Sequence, residues 1–194
     1  MFKKACDSRV AVFFADGLEE VEGLAVVDLL FRAGIPCDMV SISGSREVTS
    51  SHEVHLTCHR DIHDEGFSFD NYAALVLPGG IPGTPNLRAC DSLCDALRKA
   101  AADGRLVCAV CAAPSILAEL GLLDGRAATS YPSFQQVLAD HGARVDSESA
   151  VVVDGNLVTS QGMGTAIDFG LAIVAQLLDE DVAAHVRAQI VDLR

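Results

Sequence analysis

Short apolar runs alternate with longer amphipathic stretches along this chain. The first apolar run, residues 9–15 (RVAVFFA), has the length and the β-branched and aromatic side chains of a strand that is covered on both faces. Residues 18–33 then show a helical spacing of apolar positions, and Gly34 follows as a C-terminal helix cap. Further along, Asp154 and Gly155 separate two apolar runs and predict a tight hairpin.

The same patterns assign most of the chain to strands or helices. We predict strands over residues 9–15, 36–42, 72–77, 106–110, 127–130, 150–153 and 157–160. We predict helices over residues 18–33, 86–102, 113–120, 133–141, 165–178 and 182–190. The segment 43–64 is polar and irregular, with room for one or two short strands.

Strands that alternate with helices predict an α/β fold with a mostly parallel sheet and helices on both faces. The chain has 194 residues and shows no repeat or long linker, so we expect a single domain over residues 1–194. Ligands of such sheets bind outside the carboxyl ends of the strands. Three loops begin at such ends, residues 16–22, 78–85 and 111–114, and we expect them to converge.

The composition and net charge argue against two classes of binding partner, nucleic acids and membranes. The formal net charge is -13, and an anionic chain repels both phosphate backbones and anionic lipids, so we expect neither nucleic acid nor membrane as a partner. No run approaches the ~20 apolar residues of a transmembrane helix. No apolar run follows Lys3 and Lys4 as a signal peptide requires, so we expect a cytoplasmic protein. Seven cysteines, an odd number, argue against a disulfide framework.

Cys111 stands at the most informative point of the sequence. The buried run over residues 106–110 ends immediately before it, small residues follow, and Pro114 suits the first turn of a helix. This arrangement is typical of a nucleophile elbow, which lifts one side chain above the sheet edge. Amides and dipole at a helix N-terminus favour an anion, which predicts a lowered thiol pKa and a reactive thiolate. The segment alone is equally consistent with a core cysteine that ends a strand.

A glycine loop and an acidic helix start are candidates to complete the site. Gly79 and Gly80 follow the strand over residues 72–77, where backbone amides can donate to an oxyanion, although an ordinary turn is the alternative. Glu22 lies on one apolar stripe of the first helix, where desolvation raises a carboxyl pKa. Glu20 lies on another apolar stripe, so the periodicity alone does not choose between the two carboxylates.

Four short motifs together span nearly the whole chain: ADGLEEVE at 15–22, VLPGG at 76–80, AVCAAP at 109–114 and TSQGMGT at 159–165. These motifs resemble the ThiJ/PfpI superfamily, and within it the branch of the parkinsonism-associated deglycase/glyoxalase and its bacterial relatives. The resemblance implies a flavodoxin-like three-layer sandwich related to class I glutamine amidotransferases. It also implies a homodimer with the active site close to the interface.

The resemblance further implies roles for individual residues. It makes Cys111 the nucleophile and Glu22 its protonated hydrogen-bond partner, which settles the choice of carboxylate. It lines the oxyanion site with the backbone amides of Gly79, Gly80 and Ala112. These five residues form the expected catalytic set.

Departures from the family pattern concern the residues around this set. Arg32 and His52 fall where the branch often has anion-contacting residues, although His52 replaces the usual arginine. Tyr131 replaces a histidine of the branch, and because tyrosine is a weak base this argues against a Cys–His dyad. We count Arg32, His52 and Tyr131 as candidate substrate-binding or anion-binding residues. Ala112 replaces the histidine that follows the nucleophile in protease-like members, which argues against peptidase or glutaminase activity.

These features predict a cofactor-independent enzyme that acts on α-oxoaldehydes such as methylglyoxal and glyoxal, or on their early glycation adducts. It would be a glutathione-independent, lactate-forming glyoxalase, or a protein deglycase that uses the same hemithioacetal chemistry. The alternative is an oxidative-stress sensor or redox-dependent chaperone that works through oxidation of Cys111 to sulfinate. A metal site on His55, His59 and His63 is a weaker hypothesis because the surrounding segment is irregular, and we expect neither a metal nor a cofactor.

Overall fold

A seven-stranded, mostly parallel sheet forms the centre of the molecule in a computed structural model that describes residues 3–193. The order of the strands across it is β10-β11-β7-β6-β1-β2-β5, and β10 alone runs antiparallel to its neighbour within the described sheet. The strands of the described chain are β1 (Val10–Phe14), β2 (Cys37–Ser41), β3 (Glu47–Thr49), β4 (His55–Thr57), β5 (Arg60–Asp61), β6 (Ala74–Leu77), β7 (Leu106–Val110), β8 (Ala127–Ala128), β9 (Arg144–Val145), β10 (Val151–Asp154) and β11 (Leu157–Ser160).

Helices cover both faces of this sheet. They are α1 (Glu20–Arg32), α2 (Gly83–Arg88), α3 (Asp91–Ala102), α4 (Pro114–Glu119), α5 (Gln135–Asp140), α6 (Ala166–Leu177) and α7 (Glu180–Gln189). One apolar core lies between the sheet and α1, α6 and α7, and the other lies between the sheet and α2 to α5. Alternate residues of β1 serve the two cores, with Val12 in the first and Phe13 in the second. The predicted three-layer α/β sandwich is therefore confirmed.

The register of the sheet brings four strand ends to one edge. Leu77 of β6 pairs with Ala109 of β7, and Val110 of β7 pairs with Ser160 of β11. Because β1, β6, β7 and β11 run parallel, their carboxyl ends lie side by side. The loops after β6 and β7 contain Gly79, Gly80, Cys111 and Ala112, and α1, which follows β1, contains Glu22 in its first turn.

Several predicted elements differ from the structure in detail. The helix predicted over residues 86–102 is two helices, because the chain is extended at Cys90 and a second helix begins at Asp91. The first of them, α2, begins at Gly83 in a proline-rich stretch that reads as a loop. The irregular segment 43–64 contains the hairpin β3–β4 and the short edge strand β5. No helix within residues 3–193 is long and apolar enough to cross a bilayer.

Candidate active site

Cys111 follows the last residue of β7, at the turn into α4. Its backbone has φ +64°, in the left-handed region that non-glycine residues rarely occupy. Strain of this kind concentrates at functional positions, and it is the geometry of a nucleophile elbow. The buried residues Ala112 and Ala113 leave room for the tight turn, and Pro114 opens α4. The side chain of Cys111 is half-buried, so the elbow that the sequence predicts is present.

Two backbone amides face the Cys111 sulfur and favour its thiolate, those of Gly80 and Ala112. The carbonyl of each of these two peptide units accepts a hydrogen bond that fixes the orientation of the unit. The Glu19 amide donates to the Gly79 carbonyl at 3.0 Å, and the Tyr131 amide donates to the Cys111 carbonyl at 2.8 Å. Because a peptide unit is planar, fixing the carbonyl fixes the direction of the N–H that faces the sulfur. The orientation of the two sulfur-facing amides is thus fixed by hydrogen bonds from the loops after β1 and β8.

Glu22 places its carboxyl in the same cavity from the first turn of α1. The residue is 1% exposed, and its Oε2 accepts a hydrogen bond from the Gly79 amide at 2.8 Å. Its Oε1 has no hydrogen-bond partner of ordinary geometry among residues 3–193. The burial selects Glu22 over Glu20, which instead lies 3.0 Å from His52 Nδ1. The choice of carboxylate that the resemblance implies therefore agrees with the geometry.

Burial determines the ionisation of the carboxyl and the thiol. Desolvation raises the pKa of the Glu22 carboxyl to about 7, against the opposing effects of the Gly79 amide and the Cys111 thiol. Burial, and after it the charge of an ionised Glu22, raises the pKa of the Cys111 thiol to about 12. The lowered thiol pKa that the helix N-terminus predicts is therefore wrong for the state in which Glu22 is ionised. The two groups titrate as a pair that holds one proton above pH 7.

The surroundings favour the carboxyl as the holder of that proton. Glu22 is nearly inaccessible to water and receives one amide bond, whereas two amides face the half-buried sulfur. A proton on Glu22 removes the negative charge that, after burial, raises the thiol pKa, so the amides of Gly80 and Ala112 then oppose the effect of burial alone. The arrangement thus suits a thiolate beside a protonated acid.

Gly79 and Gly80 are required by close approach, and their roles differ. A Cβ on Gly79 would lie 2.6 Å from Cys111 Cβ and 2.8 Å from Glu22 Oε2. A Cβ on Gly80, whose φ is +95°, would lie 2.3 Å from the Glu19 nitrogen. The Gly79 amide donates to Glu22, and its place in the oxyanion site stays a prediction. Gly79 positions the acid, and Gly80 with Ala112 faces the sulfur.

Gly162 is a residue of the site that sequence reasoning missed. A Cβ at this position would lie 4.0 Å from Cys111 Sγ, 3.9 Å from Glu22 Oε1 and 3.5 Å from the Tyr131 ring. It follows β11, which pairs with β7, and the Cys111 amide donates to the Ser160 carbonyl at 3.0 Å. The available signal was the glycine after a predicted strand, but only the strand order shows that this strand lies beside Cys111.

The predicted anion-binding residues are not all at the site. Tyr131 lies beside it, with its ring next to Gly162. His52 lies near the start of α1, where hydrogen bonding to Glu20 raises the His52 pKa. Arg32 pairs with Asp28 at 2.6 Å in the last turn of α1, roughly 15 Å along the helix from Glu22. Arg32 is therefore remote from Glu22 within one chain, and its role as an anion-binding residue stays a prediction.

The three histidines of the metal hypothesis do not lie on a helix. His55 lies in β4 and hydrogen-bonds Thr49, whereas the His59 ring accepts from the Met39 amide. His63 hydrogen-bonds Asp61 at 2.8 Å. Each ring faces a different partner, so they do not form one ligand set. All seven cysteines are free thiols.

A mostly parallel sandwich with a strained cysteine elbow beside a buried carboxyl defines a class, the flavodoxin-like proteins related to class I glutamine amidotransferases. Within that class the chain belongs to the DJ-1/PfpI family, whose model matches residues 8–176. Drosophila melanogaster protein dj-1beta is 35% identical over 175 residues, 90% of this chain and 92% of that protein.

Two further relatives are informative. The glutathione-independent glyoxalase DJ-1 of Schizosaccharomyces pombe is 28% identical over 178 residues, which are 89% of this chain and 93% of that protein. The structure of oxidized DJ-1 from Toxoplasma gondii superposes with a TM-score of 0.87 at 29% identity. It covers 96% of this chain and 100% of its own. The fold and the family are therefore shared across nearly the whole chain.

Proposed function

We propose that this protein is a cofactor-independent glyoxalase that converts α-oxoaldehydes to α-hydroxy acids through a thioester on Cys111. The observation that carries the proposal is the Cys111 thiol at a strained elbow beside the buried carboxyl of Glu22. Such a pair supplies a nucleophile and a proton carrier without any cofactor. The relative from Schizosaccharomyces pombe that is named a glutathione-independent glyoxalase supports the same activity.

The reaction begins when the Cys111 thiolate attacks the aldehyde carbon of methylglyoxal. A C–S bond forms, and the oxyanion takes the proton of Glu22 to give a hemithioacetal. Glu22, now ionised, removes the hydrogen from that same carbon as a proton and passes it to the neighbouring carbonyl oxygen, which gives an enediol. Glu22 then takes the proton of the first hydroxyl and delivers it to the second carbon, which yields the thioester of lactate. The aldehyde carbon is oxidised and the ketone carbon reduced, so no external oxidant is needed.

Water completes the cycle by cleaving the thioester C–S bond and releasing lactate and the thiol. Gly80 and Ala112 offer their amides to the oxyanions of the addition and hydrolysis steps. The raised pKa of Glu22, about 7, suits a group that must both give and accept a proton near neutral pH. Early glycation adducts with amines or thiols would enter through the same hemithioacetal, so a deglycase activity belongs to this proposal.

Lactate formation from methylglyoxal tests the mechanism. We expect loss of turnover in Cys111→Ser and a loss of 100-fold or more in Glu22→Gln, roughly the contribution of a general acid–base group. Cys90→Ser is the matched control, because Cys90 is the N-cap of α3 and serine is favoured there. Equal rates in the wild type and Cys111→Ser would refute the mechanism.

A second candidate function is a sensor, or a redox-dependent chaperone, that works through oxidation of Cys111. It is favoured by Glu22 Oε1, which has no hydrogen-bond partner of ordinary geometry in the described part of the chain and as a protonated carboxyl can donate to a sulfinate oxygen. The oxidized structure of the relative from Toxoplasma gondii lends support. Mass spectrometry after mild peroxide is the test, and oxidation of another cysteine before Cys111 would exclude it.

The proposal also includes a cytosolic homodimer, as the family resemblance implies. Val21 and Leu24 expose 45% and 36% of their surface on α1, which would suit contact with a second copy. Sedimentation equilibrium tests the dimer. A single species at the monomer mass of 20.4 kDa would count against it.

A further inference from the structure

A cavity of about 240 Å³ lies between α2 and α4, the helix that follows the Cys111 elbow. Its mouth carries Ile81, which directly follows Gly80 and is 55% exposed. Apolar groups of Ile116 and Phe134 form much of its wall. The proposed reaction of methylglyoxal leaves this space unused, because the methyl group of that substrate is small.

A buried hydroxyl without a partner lines this cavity. Thr84 is 4% exposed, and its Oγ1 has no hydrogen-bond partner among the residues that the structure describes. An unsatisfied buried hydroxyl costs about 1–3 kcal/mol, so its retention calls for an explanation such as a missing ligand. The hydroxyl can both donate and accept.

The cavity is connected to the reactive sulfur through two short bonded paths. The Thr84 amide donates to the Gly80 carbonyl at 2.9 Å, and the Gly80 amide faces the sulfur. Ser115, which also lines the cavity, donates through Oγ to the Ala112 carbonyl at 2.7 Å. The residues that line the cavity are therefore hydrogen-bonded to both residues whose amides face the sulfur.

The charges at the cavity cancel one another. Arg88 and Glu119 both line it, and the Arg88 Nε donates to Glu119 Oε2 in a direct ion pair. Because this pair leaves no net charge, the cavity suits a neutral substituent better than an ionised one. An apolar cavity of about 150 Å³ is large enough for benzene, so this one accommodates an aromatic ring with one small polar group.

We propose that this cavity binds the substituent of neutral aryl α-oxoaldehydes and that Thr84 hydrogen-bonds a hydroxyl at the far end of the ring. The inference rests on the proposed glyoxalase function and specifies its substrate class. The chemistry at the sulfur stays the same, so the aryl aldehyde is isomerised through the Cys111 thioester and hydrolysed to an aryl hydroxy acid. No further reactant is required.

Relative kcat/KM values for phenylglyoxal and 4-hydroxyphenylglyoxal test the proposal. We expect the wild type to prefer the hydroxylated substrate, and Thr84→Val to reduce that preference about 2- to 10-fold, the value of one hydrogen bond. Thr129→Val is the matched control, because it also removes a buried, unpartnered hydroxyl but does not line the cavity. Ile116→Phe should fill the cavity and lower kcat/KM for both aryl aldehydes relative to methylglyoxal.

Binding of an unreactive probe separates this inference from the proposed function. We expect 4-hydroxyacetophenone, which has no aldehyde, to bind the wild type more tightly than Thr84→Val in calorimetric titrations. If no aldehyde is turned over but this difference is measured, the glyoxalase proposal fails and the cavity assignment stands. If neither the substrate preference nor the probe affinity changes in Thr84→Val, the cavity assignment is overturned.

Discussion

Replacing Glu22 by glutamine should make the protein more stable at alkaline pH while it abolishes the proposed chemistry. Burial raises the pKa of this carboxyl from 4.5 to about 7, so the folded state keeps a proton that the unfolded state releases. The contribution of Glu22 to the free energy of unfolding is therefore fully present below pH 4.5 and is lost as the pH rises through 7. At 1.36 kcal/mol per pH unit, the full loss is about 3 kcal/mol, of which about 2.5 kcal/mol falls between pH 5 and pH 8.

Glutamine preserves the shape of the side chain and can still accept from the Gly79 amide, but it does not titrate. Urea unfolding at pH 5 and pH 8, at one fixed protein concentration, measures the effect. From pH 5 to pH 8 we expect the urea midpoint of the wild type to fall by about 1 to 2 M. We expect the midpoint of Glu22→Gln not to show this fall. Glu65→Gln, which changes an exposed glutamate, serves as the control and should follow the wild type.

Equal pH dependence in the wild type and Glu22→Gln would refute the reasoning. It would mean that the pair gives up its first proton near the ordinary carboxyl pKa, and the shared-proton mechanism would lose its basis. A parallel change in Glu65→Gln would instead show that general surface charge dominates the pH dependence.

Three other predictions concern the same site. The alkylation rate of Cys111 should rise with pH, with a midpoint at or below about pH 7, where the pair of Glu22 and Cys111 loses its first proton. A midpoint near pH 9, the ordinary thiol pKa, would contradict the shared proton. Gly79→Ala should destabilise the fold by about 1–3 kcal/mol in denaturant titrations, because its Cβ would lie 2.6 Å from Cys111 Cβ. Gly162→Ala should change stability by less than about 1 kcal/mol, since its Cβ meets ordinary contacts, yet slow Cys111 alkylation measurably. Unchanged alkylation in Gly162→Ala would remove Gly162 from the site.

The strands at the centre of the sheet were the most predictable part of the fold. β1, β6 and β7 are short apolar runs buried on both faces, and that pattern survives in the linear sequence. The two-residue strand β9 carries no such pattern, because it exists through pairing with β8, which lies within the strand predicted over residues 127–130. The sequence also failed to predict the start of α2 at Gly83, because Pro82 and Pro85 on either side of it are typical of a loop.

The candidate site shows a similar division. Cys111 could be found from the strand that ends before it and the proline that follows it. Glu22 needed more, because helical periodicity placed two carboxylates on apolar stripes, and burial in the folded chain separates them. The direction of the Gly79 amide and the nearness of Gly162 depend on loop conformation and strand order, which local patterns do not encode.

The hydrogen bonds that hold the two sulfur-facing peptide units come from distant parts of the chain, from Glu19 and from Tyr131. No excised fragment, and no half-unfolded molecule, would keep both. Cys111 would then revert to an unremarkable thiol as soon as either loop detached. The reactivity of Cys111 therefore depends on the intact fold. The rate at which Cys111 reacts with a simple thiol reagent can report whether a preparation, a variant or a stressed sample is still correctly folded.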